Sequence, residues 1–412
     1  MSAVPTCPFD DPLNAEFLDD PYPSLAVARK ESPVHYLPKY DMWLVTRYED
    51  VKAILRDDVT YTNATAHLPM FPFSEATLKY LKERNYSPSL PLTGSDGALH
   101  KRLRERVGKA LRFTPRNLLA IKQSVDEEAL DMVASLPKEG AFDIVSRLTS
   151  RFPARVIYRL IGFPEEMVEQ LLVWSSGRMK IFWSMSTVEE QRAMAEGLCD
   201  YWDYCKAFIA ENIDNPPDNV TGALLRLHQE NPETLSLTEV TTTVFGLVFA
   251  GQETTANSTA QTIYMLLREP SRWTRCVDDL SLVEKAFNET LRLTPPVAAW
   301  RRHVTRDVEI AGVSIPAGAN LLLHLGSTGH DAAKFRDAEV FDLDRPDGND
   351  HLAFSVGAHF CLGAPLAKLE AVSLTSALLQ REPSLRLVND QKIAVTASFA
   401  FRGPKSLVVQ RT

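Results

Sequence analysis

The chain has 412 residues, 45% of them hydrophobic, and carries 45 Lys and Arg against 53 Asp and Glu for a formal net charge of −8, so its charge gives no global argument for nucleic acid or an anionic membrane as partner. Its five cysteines, Cys7, Cys199, Cys205, Cys276 and Cys361, have no metal-finger or disulfide-framework spacing, a usage that fits a reducing cytoplasm. The opening stretch MSAVPTCPFDDPLNAEFLDDPYP contains neither an apolar signal core nor a membrane span, which supports neither secretion nor anchoring.

From Pro33 to Asp57 two β-rich runs, VHYL and MWLVT, flank a turn around Lys39–Asp41 and lead into an amphipathic helix. The next stretch, from about Thr62 to Asp96, is punctuated by Pro69, Pro72, Pro88 and Pro91, and reads as a long irregular segment with one short helix around Ser74–Arg84. A basic helix follows from His100 and is ended by Thr114-Pro115. His100 and Arg104 share one of its faces, while Arg102, Arg106 and Lys109 lie on the opposite one. Successive amphipathic helices then run from Asn117 to Glu230, broken at Gly140, Gly162-Phe163-Pro164 and Asn215-Pro216-Pro217.

Leu237 to Leu267 is a single long helical pattern, so apolar in its middle (VFGLVFAG) that it is expected to run through the interior. A buried helix needs a reason to carry polar residues, and here Gln252, Glu253, Thr254 and Thr255 come directly after Ala250-Gly251. The small residues admit a ligand against the helix, and the Thr254 hydroxyl can disturb the backbone ladder locally. The helix VEKAFNETLRL puts Glu289 and Arg292 three apart on one face and stops at Pro295-Pro296. Short strands are expected from Trp300 to Leu323, around a turn at Pro316-Ala317-Gly318, and again in a final β-rich segment containing SFAFRGP.

The chain is organised around HLAFSVGAHFCLGAPLAKLEAV, His351 to Val372, in which Cys361 lies between Gly357 and Gly363 and ahead of a helix-forming run. Unsatisfied N–H groups and the helix dipole at such an entrance favour a thiolate, which is a metal ligand. Glycines on both sides let a flat, bulky group approach the main chain, and a planar macrocycle fits that description. A lone cysteine is most often inert packing, but the pattern Phe354, Gly357, His359, Cys361, Gly363, Leu366, Ala367, Glu370 resembles the haem-binding signature of the cytochrome P-450 family of haem-thiolate monooxygenases. Ser355 departs from it, standing where many members have a second glycine.

The resemblance spans most of the chain, and what it implies is a mainly α fold with small β-sheets, its α-rich and β-rich lobes around a buried haem. Residues 1–412 are expected to form one haem-thiolate monooxygenase domain, because the implied haem contacts are spread over the whole length. Cys361 would ligate the iron of haem b, and the thiolate would favour O–O cleavage. His100, Arg104, Arg302 and His359 would hold the propionates, and Ala250, Gly251, Phe354, Gly357 and Gly363 would lie against the haem. AGQETT resembles the family's acid–alcohol pair, which makes Glu253 and Thr254 the proton-delivery residues. Phe249, Val297, Ala298, Phe399 and Phe401 would line a small apolar substrate pocket. Glu289, Arg292 and Arg345 would form a buried structural trio, while Gly329 and His330 replace the asparagine and arginine of the family's Asn-Arg-Asp turn.

The expected reaction inserts one atom of O2 into a small apolar organic substrate, by hydroxylation or oxidative O- or N-dealkylation. The sequence has no GxGxxG opening a helix and no cysteine set for an iron–sulfur cluster, so no flavin or cluster is expected in this chain. VAAWRRHVTRDVEI and SFAFRGP resemble the haem part of self-sufficient bacterial members, but no fused reductase is expected behind Thr412. Electrons are therefore expected from a ferredoxin and an NAD(P)H-dependent ferredoxin reductase, the ferredoxin docking on Arg102, Arg106 and Lys109. A cytoplasmic location is expected, with neither nucleic acid nor membrane as partner. The rival readings are a peroxide-driven peroxygenase and a haem sensor without turnover.

Overall fold

The run Val34–Leu37 (β1) turns through a 3-10 segment at Pro38–Tyr40 and returns as Met42–Val45 (β2) in antiparallel register, Val34 opposite Val45 and Leu37 opposite Met42. The reversal needs a left-handed residue, and Asp41 supplies it at φ 50°. The computed structural model describes residues 11–175, 178–389, 391–396, 398 and 400–411.

In chain order the helices are α1 (Ala15–Asp19), α2 (Tyr22–Glu31), α3 (Tyr48–Arg56), α4 (Glu75–Glu83), α5 (Gly97–Leu111), α6 (Pro115–Ala134), α7 (Phe152–Ile161), α8 (Val168–Ser175), α9 (Arg178–Trp183), α10 (Val188–Asn212), α11 (Val220–Glu230), α12 (Leu237–Leu267), α13 (Pro270–Asp278), α14 (Leu282–Leu293), α15 (Leu325–Thr328) and α16 (Ala364–Arg381). The remaining strands are β3 (Tyr61–Thr62), β4 (Phe142–Asp143), β5 (Trp300–Val304), β6 (Val308–Ile310), β7 (Val313–Ile315), β8 (Asn320–Leu323), β9 (Leu385–Leu387) and β10 (Val408–Arg411). The mainly helical fold class expected from sequence is thus observed, and α12 has the bounds its apolar run predicts.

The chain forms two compact units, one of Met1–Thr62, Pro115–Pro153 and Glu253–Thr412, the other of Asn63–Thr114 and Ala154–Gln252. In the first, a five-stranded sheet of order β1-β2-β8-β5-β3 is antiparallel except for the parallel β2–β8 pair. Its apolar face makes a core with Trp43, Val51, Leu55, Leu321, Leu323 and Phe335. β4, β10 and β9 form a second sheet, and β6 and β7 a two-stranded ribbon. α16 packs along α6 and on α14.

In the second unit α10 packs on α4 and α8, and α11 on α5. α4 buries only Thr77 and is held mainly by polar bonds. Ser74 N–H donates to Gln191 Oε1 at 2.9 Å, and Arg84 Nη2 donates to Asp200 at 2.9 Å and Asp203 at 2.8 Å. Asp96 joins Asn63 to the start of α5, accepting from its N–H at 2.8 Å and its Nδ2 at 3.0 Å.

Candidate active site

The loop ahead of α16 is shaped by its own backbone. Cys361 N–H donates to the Phe354 carbonyl at 2.9 Å, Phe360 N–H to Gly357 at 3.1 Å and Ser355 N–H to Leu352 at 2.8 Å. Phe354 anchors the loop by packing on Phe287, Leu291 and Ala371. Cys361 is half-buried, two residues before the α16 cap Gly363.

The two glycines of the motif serve different ends. Gly357 has φ +74°, and a Cβ there would lie 3.0 Å from the Leu55 carbonyl oxygen at the end of α3, so its bareness is required by protein packing. A Cβ on Gly363 would meet only the Cys361 Sγ within 4 Å, in ordinary contact at 3.8 Å, so this side is open at that range. That open side next to a thiol, in a unit whose cationic donors include Arg302 on β5 and whose polar rings include His359 in the same loop, fits a flat anionic macrocycle held through sulfur. Arg302 is 2% exposed and its Nη1 donates to the Arg301 carbonyl at 2.9 Å; burial pulls the pKa of the Arg301 guanidinium down to about 10.

Glu253 and Thr254 lie in the middle of α12, both half-buried. The protein around the Glu253 carboxyl desolvates it and pushes its pKa up to about 7, so it exchanges a proton near neutral pH. A Cβ on Gly251 would lie 3.0 Å from Ile157 Cγ1, so α7 accounts for the glycine there. Ala250 precedes it on the same helix.

In the second unit His100 is buried in the first turns of α5, and Arg104, one turn on, is half-buried. The opposite face of α5 corrects a sequence expectation. Arg102 is forked onto Glu239, Nη2 to Oε1 at 2.7 Å and Nη1 to Oε2 at 3.1 Å, with Nη1 also donating to the Thr234 carbonyl at 2.7 Å. Lys109 pairs with Glu230 at 3.9 Å. Arg102 is therefore already paired within the chain, whereas Lys109 and Glu230 are both exposed and too loosely paired to take that cation off the surface.

Of the residues expected around a substrate, Phe249 is buried in a ring cluster, 5.5 Å from Tyr201 and 5.1 Å from Phe245 between centroids. In the first unit Val297 bridges Phe401, and Ala298 N–H donates to the Ala400 carbonyl at 2.6 Å, which brings Val297, Ala298 and Phe401 together. Phe399 lies outside the described residues.

Glu289, 1% exposed, takes Arg292 Nη2 on Oε1 at 2.7 Å and Nε on Oε2 at 2.8 Å, and Arg345 Nε also on Oε1 at 2.9 Å. Both arginines continue to backbone carbonyls, including Val340 from each. The two departures at 329 and 330 acquire a cause beside this trio. A Cβ on Gly329 would overlap the Arg292 carbonyl at 1.7 Å. His330 spans between the Leu293 carbonyl at 2.9 Å and Glu339 at 2.6 Å.

Some properties of these residues are visible only in the fold. Ser355 sits at φ +60°. The Glu370 carboxyl, 1% exposed on α16, has no hydrogen-bond partner for Oε2 among the described residues, and burial holds its pKa well above the ordinary carboxylate value. Tyr158 and Ser175, which both donate to Gln252, stand in no motif.

The cytochrome P450 family model matches residues 30–280 and 272–382. The mycinamicin IV hydroxylase/epoxidase of Micromonospora griseorubida is 32% identical over 375 residues, 90% of this chain and 89% of that protein. Among solved structures, cytochrome P450 CREJ in complex with (4-ethylphenyl) dihydrogen phosphate superposes with a TM-score of 0.93 at 31% identity, covering 96% of this chain and 98% of that one. An intact type IV self-sufficient cytochrome P450 monooxygenase superposes with a TM-score of 0.94 at 31% identity, over 97% of this chain and 52% of that one.

Proposed function

Since the chain belongs to the cytochrome P450 family and is a haem-thiolate monooxygenase, we propose that Cys361 is the iron ligand of a haem b and that residues 1–412 act as one haem domain. The observation that carries this assignment is the Cys361 sulfur ahead of α16, beside a glycine whose missing Cβ leaves open space. When bound, the haem supplies O2 activation and one-electron chemistry. Arg302, His359, His100 and Arg104 would bind its propionates. Phe354, Gly357 and Gly363 would lie toward the thiolate and Ala250 and Gly251 away from it, Gly357 and Gly251 also being packed on Leu55 and Ile157.

Glu253, poised near neutrality, takes protons from solvent, and Thr254 holds the proton or water that is delivered to the reacting oxygen. Phe249, Val297, Ala298, Phe399 and Phe401 exclude water and select a compact apolar substrate for hydroxylation or dealkylation. The (4-ethylphenyl) dihydrogen phosphate held by CREJ joins an alkyl-bearing ring to a charged phosphate, so its ring alone supports a small aromatic as the first candidate.

The enzyme takes electrons from a redox partner. We assign that role to an iron–sulfur ferredoxin and its NAD(P)H-dependent reductase, with no flavin or cluster in this chain and a cytoplasmic location. Among the described residues no helix is long and apolar enough to cross a membrane.

The test of the ligand is Cys361→Ser. The parent is expected to give the reduced carbon monoxide spectrum of a thiolate-ligated haem, and the variant to lose it, because a serine hydroxyl is a poor anionic ligand at neutral pH. An unchanged spectrum overturns the assignment.

A further inference from the structure

Gly251 and Gln252 are consecutive on α12, and both meet the consecutive pair Ile157 and Tyr158 of α7. The Cβ that Gly251 lacks would lie 3.0 Å from Ile157 Cγ1 and 3.2 Å from its Cδ1, so the two helices are in close contact there and a methyl group would push the Ile157 side chain aside. One residue on, the Gln252 amide oxygen accepts from the Tyr158 hydroxyl at 2.8 Å and from the Ser175 hydroxyl, at the end of α8, at 3.1 Å. Tyr158 is 1% exposed and Ser175 5%. Two donors reach the carbonyl oxygen, the single Ser175 proton being shared with the Leu172 carbonyl at 3.3 Å, and neither donor has access to bulk water as a substitute. Burial also pushes the Tyr158 phenol well up, which keeps it a donor at any working pH.

The consequence is geometric. Side chains advance about 100° per residue around a helix, so a helix gripped at 251 and 252 presents Thr254 about 200° away from Gln252. A helix held only by apolar packing can roll or slide by a fraction of a turn. A helix held by a close backbone approach and a two-donor hydrogen bond, at adjacent residues, has its rotation and its height both fixed.

We propose that Gln252, Tyr158 and Ser175 are positioning residues, a pin that sets the rotation of α12 at the turn carrying Glu253 and Thr254. The inference rests on the assignment of proton delivery to those two residues. It adds that their placement is determined by α7 and α8, with the Gln252 bond on the side of α12 away from Thr254.

The test uses the haem-loaded protein and the double variant Tyr158→Phe/Ser175→Ala, which keeps the ring and nearly all the volume but removes both donors. Hydrogen exchange followed by mass spectrometry is expected to accelerate about tenfold in a peptide spanning 250–256, with little change at the β1–β2 hairpin, because a local bond rather than the global fold has been lost. In isotope-edited infrared titration, with Glu253→Gln assigning the band, the Glu253 carboxyl is expected to titrate at a lower pH in the double variant, since a helix free to roll lets water reach it. A general loss of packing moves exchange everywhere and is distinguished by that pattern. Should the double variant not fold, Tyr158→Phe alone is expected to show both changes at smaller size.

Unchanged exchange at 250–256, or an unmoved Glu253 titration, overturns the pin. Neither readout involves turnover, so a failure of the catalytic assignment, seen as Thr254→Ala remaining fully coupled, is separable from a failure of the pin itself.

Discussion

Gly357 abuts the end of α3 so closely that an added Cβ would stand 3.0 Å from the Leu55 carbonyl oxygen and 3.2 Å from the Arg56 Cα, at a backbone φ of +74°. Gly357→Ala is therefore expected to destabilise the protein by about 1–3 kcal/mol, from left-handed strain and overpacking together. Gly363→Ala has neither problem, with φ −83° and only the Cys361 Sγ nearby. It should leave the apoprotein melting temperature close to that of the parent while lowering haem content per chain. Equal effects of the two substitutions on both measurements would refute this division of labour.

Ser355 occupies φ +60° without being a glycine or an asparagine. A left-handed residue with a Cβ costs roughly 1–2 kcal/mol, part of which glycine gives back in chain entropy. Ser355→Gly is expected to raise the urea midpoint at unchanged slope, a gain of about 0.5–1 kcal/mol. A lower midpoint would show that the serine side chain contributes more than its backbone costs.

The long elements were legible because periodicity and punctuation alone define them: α12 from its apolar run, α4 between prolines, the β1–β2 hairpin from two β-rich runs around a turn. β4 was not legible. Phe142 and Asp143 are two residues whose strand character comes from pairing with Val409 and Val408, far along the chain. The same holds at the site. Cys361, Glu253 and Thr254 stand in motifs, whereas Tyr158 and Ser175 act through the register of three helices, which no single stretch encodes. The charge pattern of α5 misled for a related reason: Arg102 looks free until Glu239 of α12 is folded against it.

Glu289 holds two arginines while itself 1% exposed. Removing Arg345 leaves Glu289 balanced by Arg292 but strips a charged donor from Glu289 Oε1 and donors from the Arg336, Asp337 and Val340 carbonyls, a loss of about 1.5–3 kcal/mol. Arg345→Met is thus expected to lower the denaturant midpoint strongly without changing the spectrum of whatever haem-loaded protein remains. A loss below about 1 kcal/mol would place the trio with ordinary surface pairs.

Two carboxyls give the stability a definite pH slope. Burial raises Glu253 from the ordinary 4.5 to about 7 and raises Glu370 well above 4.5. A carboxyl whose folded pKa exceeds its unfolded one binds more protons when folded, so its contribution is complete below the unfolded pKa and is lost as pH rises through the folded one. Through Glu253 the parent should lose stability between about pH 4.5 and 7, and through Glu370 the loss should continue upward. Glu253→Gln and Glu370→Gln are each expected to flatten part of that decline in melting temperature against pH. A decline unaltered in both would mean that neither group is the source.

Glu253 and Thr254 carry the sharpest functional prediction. Monooxygenation consumes two electrons and two protons for each O2, and protons that arrive out of step with electrons let the reducing equivalents leave as hydrogen peroxide. A positioned acid or hydroxyl contributes about 10²–10⁴-fold to such a transfer. Thr254→Ala removes the hydroxyl proposed to place the final proton or water, together with the methyl beside it, so it should still bind haem and substrate and still consume NAD(P)H, while product falls and peroxide rises. Glu253→Gln removes the group that titrates near 7, so the whole cycle should slow, with consumption and product falling together. The first substrate is to come from a spin-shift screen that begins with (4-ethylphenyl) dihydrogen phosphate and its parent phenol. Product, peroxide and NAD(P)H are then measured in the same reaction with a ferredoxin and its reductase. Should Thr254→Ala keep the parent's ratio of product to NAD(P)H, the hydroxyl is a helix hydrogen-bonding group and proton delivery runs by another route.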